Sequence, residues 1–130
     1  MFSDSMRKTG FYVEYHRESW FYRFIREAES RYKYAARVSD PNLKRDLLLS
    51  SIVKARAALH YLLGDPRFIE ASIARIVSSE EAVPKGLPSI LYEMEKLFQE
   101  ARIERDTSRL QLRVEVYLKM TARIASMILG

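Results

Sequence analysis

Leu110, Val114, Tyr117, Thr121, Ile124 and Ile128 recur at alternating intervals of four and three residues. A helix stacks such residues on one face, whereas a strand would scatter them over two. The same spacing joins Phe21, Ile25, Ala28, Tyr32 and Ala35, and again Leu48, Ile52, Ala55, Leu59 and Leu62. Each stripe needs a neighbour to bury against, so the pattern predicts an all-α fold: a compact bundle of four to five mainly antiparallel helices. The 130 residues fit a single domain spanning 1–130, with residues 1–18 as an aromatic lead-in to the bundle. With 48% apolar and 30% charged residues, the composition is that of a chain able to build a core and unlike that of a disordered one.

Capping chemistry places the boundaries. The first regular helix is expected from about Ser19, a possible N-cap, to Val38, because Glu14 and Glu18 would fall on or beside the apolar face if the Phe21 stripe were extended backwards. Asp40-Pro41 then offers a cap followed by a proline at the first helical position, and Gly64 offers a stop, which predicts a helix from Pro41 to Leu63. Asp65-Pro66 repeats the device ahead of Ile69, Ile73 and Ile76, and a loop rich in proline follows from Ser78 to Pro88. Helical spacing resumes at Ile90, Met94, Leu97 and Ala101, with Leu91 and Phe98 alongside. At about 100° per residue that face points roughly opposite to the face of Leu110 to Ile128, so one straight helix could not bury both. A break is expected near Glu104 to Ser108, with Asp106 or Thr107 capping a last helix to Leu129.

The chain has no cysteine, which excludes disulfides and thiolate metal sites. Its opening residues lack the apolar core of a signal peptide, and no stretch reaches the roughly 18 apolar residues of a membrane span. These features give the cytoplasm as the expected location, with no role in a membrane. A net charge of +5 and a pI of about 9.6 favour acidic partners. Of the two histidines, His16 and His60, neither has a carboxylate three residues before it, so the ligand pairs of a carboxylate-bridged metal bundle are missing. Neither a metal nor a cofactor is expected. His60, at the end of its helix, is favoured there by the helix dipole.

Arg56-Ala-Ala-Leu-His60 resembles the arginine and histidine pair of the HEPN helical ribonucleases, in which four to six residues separate the two; three intervene here. The resemblance implies a shared helix face where the arginine would stabilise phosphate charge and the histidine would move protons. The paired glutamates Glu80-Glu81, Glu93/Glu95 and Glu100/Glu104 read instead as surface residues, the last pair meeting Lys96 and nearby arginines.

Arg23, Arg26, Lys33 and Arg37 gather on the face of the first helix opposite its apolar stripe, with Tyr22 at the margin. Cations at such spacing beside an aromatic suit a nucleic-acid backbone, although Glu27 and Glu29 dilute the field. A second set, Arg102, Arg105, Arg109 and Arg113, would line up only in an unbroken helix. The Pro41 helix is apolar over nearly half its circumference and keeps Leu49, Val53 and Ala57 on its other side, so it is either central or closes a dimer. Together with Phe11, Tyr12 and Tyr15, these three are the interface candidates. The first expectation for function is therefore a non-enzymatic interaction or scaffold protein that forms homo-oligomers. The alternative is a nucleic-acid-binding protein using the basic face of the first helix, and the third reading a HEPN-like ribonuclease or an enzyme acting on a small ligand.

Overall fold

The computed structural model describes residues 2–64, 74 and 86–130, with side chains from Glu18 onward. Among these residues there are four helices and no strand: α1 (Phe2–Arg37), α2 (Pro41–Leu63), α3 (Leu87–Ile103) and α4 (Thr107–Leu129). The helix expected after Asp65-Pro66, with Ile69, Ile73 and Ile76, and the loop from Ser78 as far as Lys85 lie outside the described residues.

The ends follow the capping chemistry. The Asp40 side chain accepts the Asn42 N–H ahead of Pro41, and Gly64 closes α2 in the left-handed conformation at φ 85°, its N–H returning to the His60 carbonyl. The Asp106 carboxylate accepts the N–H groups of Ser108 and Arg109, so α3 and α4 are separate helices with a break at residues 104–106. That break resolves the opposed faces: Leu91, Met94, Phe98 and Ala101 are buried on α3, and Leu110, Val114, Tyr117, Thr121 and Ile124 on α4. The start of α3 differs slightly from the expected one, with Gly86 before it and Pro88 inside its first turn, where the missing N–H costs nothing.

The larger difference is in α1, which begins at Phe2 rather than near Ser19. Ser19 is an interior helical residue, not a cap. The physical reason lies in α2. Its last turns stack Tyr61 on Trp20 and Phe24, and it ends at Leu63, so α1 continues about 24 Å past its partner. An apolar stripe records a neighbour rather than a helix, so charged residues such as Glu14 and Glu18 ahead of Phe21 end the stripe without ending the helix.

Two antiparallel hairpins, α1–α2 and α3–α4, make the bundle. In the first, the Ser51 hydroxyl donates to the Ala28 carbonyl at 2.6 Å, and the fully buried Ala28, Ala35, Ala55 and Ala58 let the two helices approach closely. In the second, Phe98 packs against Tyr117 with ring centroids 6.4 Å apart. The hairpins join through α2, which touches every other helix. Arg56 meets Glu95 and Arg45 meets the Glu104 carbonyl, so α2 and α3 run antiparallel, with the end of α2 and the start of α3 at the same end of the bundle. The core is a continuous cluster from Ala28 and Leu59 to Leu91 and Tyr117.

Candidate nucleic-acid interface

The outer face of α1 is a strip of eight exposed residues: Ser19, Tyr22, Arg23, Arg26, Ser30, Lys33, Tyr34 and Arg37. They fall within about 120° of arc, opposite Phe21, Ala28 and Ala35. Arg23 to Arg37 spans about 21 Å along the axis. All four basic residues expected from the sequence are thus brought together on one solvent face; its carboxylates stand at the margins, with Glu27 on one side, the exposed Glu29 on the other, and Glu18 beside Glu27 in the lining of the Tyr22 hollow. Two shallow hollows lie along the strip and share Arg26 and Glu27; Tyr22 lines one, and Tyr34 lines the other beside Leu47 of α2.

Glu27 stands at the strip's edge, where it gathers three cations: Lys54 Nζ at 3.1 Å, Arg23 Nε at 3.6 Å and Arg31 Nη1 at 4.0 Å. The hydrogen bond from Lys54, aided by the charges of the three cations, holds the Glu27 carboxyl below its ordinary pKa of 4.5. One carboxylate among three cations leaves the edge net positive. Arg26, Lys33 and Arg37 take part in no ion pair among the described residues, so their charge is available to a ligand.

Beyond the edge, Trp20, Phe24 and Tyr61 form a stack of three rings with centroids 5.5 to 5.9 Å apart. The Arg23 guanidinium lies 4.9 Å from the centre of the Trp20 ring and Lys54 lies 5.1 Å from that of Phe24. These contacts orient Arg23 on the strip and Lys54 beside it.

Other residues singled out in the sequence have different surroundings. Arg56 places Nε and Nη2 on the two carboxylate oxygens of Glu95, each at 2.9 Å, and stacks 4.7 Å from the centre of the Phe98 ring. Its partner was not legible beside His60, because the glutamate comes from α3. Glu100 and Glu104 pair with Arg113 rather than Lys96, and the break at residues 104–106 keeps Arg102 and Arg105 out of line with Arg109 and Arg113. Among the interface candidates, Leu49 and Ala57 are half-buried within the bundle, which leaves Val53, 52% exposed. The apolar second side of α2 is thus largely used inside the molecule. Phe11, Tyr12 and Tyr15 lie on the helical backbone of α1, and their side chains are outside the described residues. Among those residues no cluster of histidine and carboxylate suits a metal ion, and no helix is long and apolar enough to cross a membrane.

The sequence reading missed Tyr34, which faces solvent with 55% exposure. The signal was present, since Tyr34 follows Ser30 by one turn and Arg23 by three. Comparison with protein-family models, with curated proteins and with solved structures finds no match.

Proposed function

We propose that this chain is a non-enzymatic binding protein whose α1 strip engages the phosphate backbone of nucleic acid. The observation that supports this reading is the shared exposed face of Arg23, Arg26, Lys33 and Arg37, with Glu27 and Glu29 at its margins rather than within it. Cations on a rigid helix neutralise phosphates at fixed spacing and release counterions, so the binding is driven by salt-sensitive electrostatics and carries little sequence preference.

Fluorescence anisotropy with a labelled oligonucleotide tests this. With four cations in contact, affinity for a single strand should fall about 50-fold between about 50 and 200 mM salt, following a log–log slope of roughly −3. The double substitution Arg26→Gln/Lys33→Gln should reduce that fall to about 7-fold. Both side chains are exposed, so the circular dichroism spectrum should not change. Binding that ignores salt, or is equal in the double variant, would remove the proposal.

A second reading, self-association through a helix face, has its own support. Leu112, Val116 and Met127 share the outer face of α4 and are 61%, 46% and 65% exposed. These side chains share that face with the exposed Lys119 and Arg123, a mixed surface that suits a symmetric dimer in which each subunit offers the same face. Light scattering on the wild type and on Leu112→Ser/Met127→Ser decides it: a dimer that the double variant dissociates supports this reading, and a monomer at high micromolar concentration refutes it.

A further inference from the structure

We infer that the strip on α1 takes single-stranded rather than duplex nucleic acid, with Tyr22 and Tyr34 stacking on unpaired bases; the inference rests on the phosphate-binding reading proposed above. Four cations would serve either form. The tyrosines distinguish them, because the faces of bases inside a duplex are already covered and only a strand with splayed bases can use a free ring. Tyr22 and Tyr34 are 43% and 55% exposed on the same strip as the cations. Each lines its own hollow, and Arg26 belongs to both hollows. A backbone following Arg26 would therefore pass between two rings, about 18 Å apart along the axis.

The environment of the two rings sets them apart from the other aromatics of this hairpin. Trp20, Phe24 and Tyr61 are satisfied by one another and by Arg23 and Lys54. Tyr22 meets only the edge-on ring of Phe21, with centroids 5.3 Å apart, and Tyr34 has no ring partner among the described residues. Their polar hydroxyls suit a wet surface, and stacking tolerates any base because every base has a π-face.

The experiment compares labelled oligo-dT and oligo-U of about 20 nucleotides with a duplex of the same length, on the wild type and the Tyr22→Leu, Tyr34→Leu and Tyr34→Phe variants. Tighter binding of the single strands by about tenfold or more is expected. Each leucine variant should lose about 5- to 100-fold on single strands, and Tyr34→Phe should retain wild-type affinity because it keeps the ring. A difference between oligo-dT and oligo-U would show that the sugar or the thymine 5-methyl group modulates binding within the same inference. Duplex bound as tightly as single strand, with the leucine variants unaffected, overturns the inference while leaving phosphate binding intact. No binding to any of the three ligands at low salt overturns both.

Discussion

Replacing Leu59 by alanine measures how central α2 is. Leu59 is 1% exposed and belongs to the main core cluster, so truncation removes its branched side chain from a packed environment and leaves a cavity. Substitutions of this kind cost about 2–5 kcal/mol. Val53 is the internal control, since it sits on the same helix at 52% exposure. Val53→Ala gives up little buried area and gains helix propensity, so its cost should stay below about 0.5 kcal/mol. In a domain of this size each kcal/mol lowers the melting temperature by about 3–4 °C, which predicts a drop of about 6–20 °C for Leu59→Ala against about 2 °C or less for Val53→Ala. Urea and thermal unfolding followed by circular dichroism provide both numbers. A Leu59→Ala cost under about 1 kcal/mol, or equal costs for the two variants, would refute the placement of α2 at the centre of the bundle.

Three further outcomes follow from the packing and the electrostatics. Burial pushes the Tyr117 hydroxyl pKa above its ordinary 10.0, so the stability it supports is complete below pH 10 and is lost as pH rises beyond it; Tyr117→Phe should blunt alkaline unfolding measured by urea midpoints. Glu27 is shifted the other way, so its contribution is complete above pH 4.5 and disappears as pH falls through its lower folded value; Glu27→Gln should flatten that part of the acid profile. Arg56 and Glu95 form a two-point pair backed by Phe98, and a double-mutant cycle with Arg56→Ala and Glu95→Ala should give a coupling of about 0.5–1.5 kcal/mol, whereas independent effects would show that the pair contributes nothing.

The apolar stripes were legible because burial on a helix repeats every turn, and the positions expected inside α2, α3 and α4 are largely those the core uses. Asp40, Gly64 and Asp106 were legible for a different reason: unsatisfied backbone groups at helix ends demand particular residues. The start of α1 was misread because polar residues at an inward phase look like the end of a helix when they mark only the end of its neighbour. Ile128 illustrates the converse, keeping the phase of the α4 stripe yet standing 46% exposed near the level where α3 starts. The four cations of the candidate site could be assigned to one face from α1 alone. Pairs such as Arg56–Glu95 and Lys54–Glu27 depend on the register between helices, which no local spacing encodes.

The antiparallel course of α2 and α3 makes the molecule divisible. The two short links, at residues 38–40 and 104–106, are internal to the hairpins, while the end of α2 and the start of α3 share one end of the bundle. Among the described residues each hairpin carries its own turn and about half of a shared core. Covalent continuity between the halves raises their effective concentration, so that their docking is an intramolecular event.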